Sequence, residues 1–408
     1  MNYTDLQPQA VWEHFAQLNA IPRGSKKEEK AAQFVADFGA LLGLEVLRDD
    51  IGNVIIKKPG QNGGENSDPV ILQSHVDMVH QKNADTVFDF DTEGIRMHVD
   101  GEWVKADGTT LGADNGMGVA YMMTVLKDKN LKHPPIEALF TIDEEAGMTG
   151  AKNLGAGLLS GKRLLNIDTE DDEEITIGCA GGIDTNVELE FRMEDTPENT
   201  KAYFISVKGL AGGHSGMDID LGRGNANKIL FRLLFQGYSR FGMRIASVDG
   251  GGLRNAIPRE AFATVVVDIQ KTGEFETHLL QLGNAIKTEL RTMEPNLEIL
   301  WESTANPVQV MNVTTQVNII RAIYSMPNGV YRMSAEVKGL VETSSNLARV
   351  LIKDGKFKSQ SLQRSSVESS KMDIANAIRA CFEQIGCLVE NGGDYPGWKP
   401  NPDSPLLE

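Results

Sequence analysis

Residues 139–147 read Leu-Phe-Thr-Ile-Asp-Glu-Glu-Ala-Gly, an apolar run that delivers Asp143, Glu144 and Glu145 in succession and then a glycine. The run predicts a buried strand. Three adjacent carboxylates at such a strand end repel one another, and burying any of them is costly unless cations or donors compensate. A divalent metal ion is the obvious compensator; acids that splay into water are the plain alternative. The pattern recurs, which favours the metal. Residues 69–78, Pro-Val-Ile-Leu-Gln-Ser-His-Val-Asp-Met, form a near-continuous apolar strand ending in His75-x-Asp77. Residues two apart on a strand face the same side, so Asp77 can accept one imidazole N–H while His75 offers its other nitrogen to a metal. Residues 111–118, Leu-Gly-Ala-Asp-Asn-Gly-Met-Gly, set Asp114 just before an apolar helix over 119–126. The glycines allow the sharp turn, and one carboxylate can hold two cations about 3.5–4 Å apart, so Asp114 is a candidate bridge. Residues 163–170 repeat strand then acid at Asp168, and the acidic run 170–174 reads as a solvated loop.

These stretches need a scaffold that gathers them. Helices are predicted over 8–21 and 26–42, strands over 44–47 and 53–57, and a hairpin over 87–106 turning at Asp100-Gly101. Strands alternating with helices imply an α/β fold with an open, mostly parallel sheet. Ligands of such sheets sit outside the carboxyl ends of the strands, where His75, Glu144, Glu145 and Asp168 fall. His80 and His98 have no comparable acid partner and read as ordinary histidines. Beyond Gly181-Gly182 the texture becomes α+β to about residue 390, with helices over 225–235 and 277–293 and a strand over 262–269. In this half His214 lies on a glycine-dense loop, Gly-Leu-Ala-Gly-Gly-His-Ser-Gly, and glycines around a lone histidine mark either close approach to a ligand or a flexible turn.

Composition narrows the partners. A net charge of −17 over 408 residues repels nucleic acid and anionic membranes. No apolar run approaches the roughly 18 residues of a membrane span. The first residues carry neither basic flank nor apolar core, so no signal peptide is expected and the cytoplasm is the expected location. Three cysteines without a Cys-x-x-Cys pair exclude thiolate zinc sites, and Cys179 reads as a small buried hydrophobe.

Assembled, the motifs resemble the co-catalytic zinc peptidases that include aminoacylases and carboxypeptidases, and within them the aminoacylhistidine (Xaa-His) dipeptidases. The resemblance runs through Ser74-His-Val-Asp-Met, Leu111-Gly-Ala-Asp-Asn-Gly, Asp143-Glu-Glu-Ala-Gly-Met-Thr-Gly, Asn166-Ile-Asp-Thr-Glu, Gly212-Gly-His-Ser-Gly and Tyr395-Pro-Gly-Trp, essentially the whole chain. It implies two divalent metal ions held by His75, Asp114, Glu145 and Asp168, with Asp114 bridging. It also implies that Glu144 is the general base, that Asp77 orients His75, and that His214, Asn255 and Arg254 meet a small peptide substrate. Nitrogen and oxygen ligands without thiolates suit zinc, with manganese or cobalt as alternatives. Residues 1–183 are then expected to form the catalytic metal-binding domain, 184–390 an inserted lid that also makes a homodimer, and 391–408 a return to the catalytic domain. The family's remaining ligand is a histidine beyond the Tyr-Pro-Gly-Trp region, whereas the last histidine here is His278. The expectation is a truncated form with an exposed sheet edge. Two other readings stay open: a deacylase or amidase acting on N-acyl amino acids, and an inactive truncated dimer.

Overall fold

Three apolar runs become the middle of a sheet in the computed structural model, which describes residues 5–83, 85–169, 173–404 and 406–407. The chain divides into two units, Met1–Glu174 and Ile175–Glu408. In the first unit the elements are α1 (Gln9–Asn19), α2 (Glu29–Leu41), β1 (Glu45–Arg48), β2 (Val54–Lys58), β3 (Val70–His75), β4 (Met97–Asp100), β5 (Trp103–Ala106), α3 (Ala113–Lys127), β6 (Ile136–Thr141), α4 (Glu144–Gly147), α5 (Thr149–Lys152) and β7 (Arg163–Asn166). The sheet order is β1-β2-β6-β3-β7. Strands β6, β3 and β7 run parallel, while β1 and β2 form an antiparallel hairpin that joins β6.

Alternation along the strands builds two cores. Val54, Ile56, Ala138 and Phe140 meet Val35 of α2 and Val119, Met122 and Met123 of α3. On the opposite face Ile55, Ile71 and Leu139 pack against Leu154, Leu158 and Leu159. Every residue of β6 is buried, as a strand covered on both faces requires. At the outer edge β7 leaves Leu164 and Leu165 exposed.

The second unit contains β8 (Gly181–Glu190), β9 (Met193–Asp195), β10 (Thr200–Lys208), β11 (Gly213–His214), α6 (Ala226–Phe241), β12 (Arg244–Gly251), β13 (Ala256–Ile257), β14 (Ala261–Asp268), α7 (Thr272–Leu290), β15 (Glu298–Thr304), β16 (Gln309–Met311), α8 (Val313–Ser325), β17 (Gly329–Met333), β18 (Val341–Lys353), β19 (Lys356–Ser365), α9 (Glu368–Glu383) and β20 (Leu388–Tyr395). Its main sheet has the order β15-β10-β14-β12-β18-β19-β8-β20, with β17 pairing β18. The four helices share one core with it, through Leu230 and Leu234 of α6, Phe275 of α7, Ile319 and Ile323 of α8, and Ile374 and Ile378 of α9.

Several boundaries differ from those the sequence predicts. The contacts divide the chain at 174/175, and Cys179 and Trp398 exchange backbone hydrogen bonds within the second unit. Residues 391–395 belong to β20, which pairs with β8, so they extend the second unit's sheet and do not return to the first. Cys179 is exposed, since only its backbone takes part in that pairing. Of the acidic run at 170–174, residues 170–172 lie outside the described residues.

Close packing of α3 decides where Asp114 can stand. A Cβ on Gly118 would lie 2.0 Å from Asn115 Oδ1, 2.5 Å from Ser74 Oγ and 2.8 Å from the Ile167 carbonyl. Gly118→Ala should therefore destabilise the chain by about 1–3 kcal/mol despite alanine's better helix propensity, read as a fall in melting temperature.

Candidate metal centre

Because β6, β3 and β7 are parallel neighbours, their carboxyl ends open on one edge. Within this frame His75 ends β3 level with Thr141 of β6, and Gln73 is level with Asn166 of β7. Asp168 follows two residues beyond β7, and Glu144 and Glu145 open α4 just past β6. The three strand ends and the glycine turn that carries Asp114 thus come together around His75.

His75 is the hub, 1% exposed. Its Nδ1 lies 3.2 Å from Asp77 Oδ1, and its Nε2 faces Asp114 Oδ1 at 3.0 Å, Asp168 Oδ2 at 3.6 Å and Glu144 Oε2 at 4.0 Å. Asp77 is fully buried. Its carboxylate accepts the backbone N–H of Glu144 at 3.0 Å, that of Glu145 at 3.2 Å and the Ser25 hydroxyl at 2.8 Å. One acid thus fixes both the histidine and the turn that presents two others.

The electrostatics follow from crowding. Burial opposes protonation of His75, but hydrogen bonds to Asp114 and Asp77 outweigh it and push the imidazole up to about 10. Burial, aided by the charge of Asp114, drives Glu145 up to about 7. Asp168 rises to about 6, first through burial and then through Asp114 and Glu144 against the pull of His75. Burial also raises Glu144. Asp114, hydrogen-bonded to His75, is held below the usual carboxylate range. Asp77 is held low as well, because its donors overcome its burial.

Such a cluster fits divalent cations. The donor atoms of His75, Asp114 and Asp168 lie within 4.8 Å of one another, as do those of His75, Glu144 and Glu145. All are nitrogen or oxygen, and a bound cation would favour the ionised form of the two carboxyls that burial and neighbouring acids raise, Glu145 and Asp168. Asp143, by contrast, turns away. It adopts φ 48° and is buried, its N–H donates to Glu28 Oε1 at 2.8 Å, and Thr149 donates its hydroxyl to the carboxylate.

A second polar group is complete within the other unit. Strand β11 pairs with β13 so that His214 faces Ala256. The His214 Nδ1 accepts the N–H groups of Gly216 at 3.3 Å and Met217 at 3.1 Å. A neutral ring with Nδ1 accepting carries its proton on Nε2, and partial burial, then the charge of Arg364, lowers the pKa of this otherwise exposed histidine. Arg254 pairs with Asp184 at 2.7 Å, and Asn255 is exposed while its carbonyl accepts the Ser215 N–H at 2.8 Å. Arg364 donates to the Tyr395 hydroxyl at 2.7 Å, and its Nε is buried without a partner among the described residues.

Sequence reasoning passes over Arg23, Ser25 and Glu28, which sit in the connection between α1 and α2 and touch the roots of the site. It also passes over Arg364. No spacing relates Arg23 to the acids, because its partners are three backbone carbonyls and the Asn19 side-chain amide; Arg364 is a lone cation in a run of serines and glutamines.

Residues 53–183 match the model of Peptidase family M28, and residues 205–294 that of the Peptidase dimerisation domain. Fold and donor cluster together define a metallopeptidase. The chain is 42% identical over 404 residues to the cytosol non-specific dipeptidase of Escherichia coli (strain K12), covering 99% of this chain and 83% of that protein. The crystal structure of aminoacylhistidine dipeptidase from Vibrio alginolyticus superposes with a TM-score of 0.91 at 43% identity, over 100% of this chain and 83% of that one. On this likeness the chain belongs to the aminoacylhistidine dipeptidase family. A shorter match, 55% identical over 49 residues, links 11% of the chain to 12% of peptidase T of Pasteurella multocida (strain Pm70). Among the described residues, no helix is long and apolar enough to cross a membrane.

Asp77 is the acid on which the other donors depend. Asp77→Ala should cost about 10–100-fold in zinc affinity, measured by competition with a chromogenic chelator.

Proposed function

We propose that this chain hydrolyses Xaa-His dipeptides, carnosine-like substrates among them, with Glu144 as general base. The observation that carries the reading is the position of Glu144, whose half-buried carboxylate stands 4.0 Å from His75 Nε2 while its backbone is fixed by Asp77. His75, Asp114, Glu145 and Asp168 would hold two divalent cations, zinc first by donor chemistry, with manganese or cobalt as alternatives. When bound, such ions polarise a peptide carbonyl and make water acidic enough to attack near neutral pH.

The protein groups supply the rest. Glu144, raised by burial, takes the proton of the attacking water and returns it to the leaving amine. Asp77 holds the His75 ring in the tautomer that turns Nε2 toward the cations. In the second unit, His214 presents a neutral Nε2–H, the donor an oxyanion needs. Arg364, Arg254 and Asn255 offer cationic and amide groups for the substrate's carboxylate. Preference for histidine on the leaving side, and a cytosolic location, rest on likeness to the named relatives. We read the first unit as the catalytic domain and the second as a lid that also makes a homodimer. Support comes from the dimerisation-domain match and from the outer strand β15, where Leu300 is exposed beside the exposed Leu280 of α7.

Glu144→Ala should lower turnover of a Xaa-His dipeptide by at least about 100-fold while the chain retains two metals by elemental analysis. Loss of one metal would reassign Glu144 as a ligand. His214→Ala should lower kcat by about 100–1,000-fold at unchanged metal content. Hydrolysis of N-acyl amino acids in preference to dipeptides would favour the deacylase reading.

A further inference from the structure

The connection between α1 and α2 carries a buried cation that the proposed chemistry does not use. Arg23 is 1% exposed, yet no carboxylate oxygen is hydrogen-bonded to it among the described residues. Its Nη1 donates to the carbonyls of Val76 at 3.2 Å and Asp77 at 3.1 Å, and its Nη2 to Asn19 Oδ1 at 2.7 Å and the Gly112 carbonyl at 2.5 Å. One planar fork therefore joins the end of α1, the residues just past β3 and the turn that leads into α3. Those last two segments carry His75 and Asp114.

The surroundings are shaped for that fork. Gly112 adopts φ 71°, and a Cβ there would lie 2.4 Å from Arg23 Nη2; a Cβ on Gly116 would lie 2.6 Å from the same atom. The glycines of Leu-Gly-Ala-Asp-Asn-Gly thus make room for a guanidinium as well as for a turn. Asn19 adds a second tie, donating through Nδ2 to the Leu111 carbonyl at 2.9 Å. Neighbours of Arg23 add to this frame: Ser25 donates to Asp77, and Glu28 accepts the Asp143 N–H just ahead of Glu144 and Glu145. Burying a guanidinium is expensive, and an apolar side chain would fill the same volume at lower cost. What an apolar residue cannot do is fix four acceptors on three segments in one plane.

We infer that Arg23 is a positioning residue of the metal centre, setting the placement of Asp114 relative to His75 and through it the affinity for the cation they share. The inference rests on the ligand assignment given under Proposed function. Arg23→Lys keeps the charge, but a single nitrogen with three donors cannot reproduce the fork; Arg23→Met removes both. Lys58→Met is the structural control. Lys58 is another buried cation of this unit, and it donates to the carbonyls of Val125 at 2.9 Å and Asp128 at 2.5 Å, at the other end of α3.

The full-length chain and its variants would be titrated with zinc against a chromogenic chelator, and the cobalt-substituted forms compared by visible absorption. Both Arg23 variants should lose about 10–100-fold in zinc affinity and alter the cobalt spectrum. Lys58→Met should lower the melting temperature and leave affinity and spectrum at wild-type values. Arg23→Lys that melts early yet binds zinc within twofold of wild type overturns the inference, as does an equal loss of affinity in Lys58→Met. If neither Arg23 variant folds, Asn19→Ala decides: weaker zinc binding supports the role and unchanged binding refutes it. A wild-type chain that takes up no zinc, manganese or cobalt defeats the ligand assignment itself, and the inference with it.

Discussion

Like charge crowded around one buried imidazole is the constraint on which the rest of this structure depends. Asp77 stands behind His75, and Asp114, Glu144 and Asp168 stand in front of its Nε2 within 4.0 Å. The ligand atoms of Asp114 and Asp168, and those of Glu144 and Glu145, lie within 4.8 Å of one another; two like unit charges at roughly that distance repel by about 3–4 kcal/mol where the effective dielectric constant is near 20, so unrestrained acids would separate. The fold denies them that freedom. Parallel β6, β3 and β7 deliver His75, Glu144 and Asp168 to one edge, and the glycine-bounded turn before α3 delivers Asp114. His75 and Asp77 are buried behind them, while Asp114 and Asp168 stay open to solvent, where a cation could reach them.

The same solution to holding a polar side chain recurs in both units. Asp77 accepts two successive peptide N–H groups, those of Glu144 and Glu145. His214 Nδ1 accepts two as well, from Gly216 and Met217. A peptide N–H is a fixed partial charge that cannot rotate away or titrate. In the first case it keeps a carboxylate ionised in a dry place; in the second it decides which ring nitrogen bears the proton.

Much of the metal centre was legible in the sequence, because each donor follows an apolar strand or glycine turn and strand ends in an open α/β sheet converge. Side-chain chemistry at the strand ends carried that signal. Where the decisive contacts involve backbone, the sequence was silent. Asp143 belongs to the same acid triplet as Glu144, yet its left-handed φ turns it to Glu28 and Thr149, and nothing in three consecutive acids foretells which one turns. The antiparallel attachment of β1 and β2 and the placement of residues 391–395 beside β8 are likewise matters of backbone pairing, and three of the four partners of Arg23 are backbone carbonyls. Helix α6 runs through Phe241, six residues beyond the predicted end, because Gly237 is buried inside it where a Cβ would lie 2.8 Å from Met243 Sδ, and the left-handed stop comes only at Gly242.

Strand β7 gives the site an asymmetry. It spans only Arg163–Asn166, every residue is exposed, and among the described residues it pairs with β3 alone. Strands β3 and β6, by contrast, have neighbours on both sides. Amide exchange should accordingly be fastest at β7 and slowest at β6, with local opening starting on the flank that bears Asp168. The candidate centre is thus unevenly supported: His75 ends a strand paired on both sides, whereas Asp168 hangs from a four-residue edge strand.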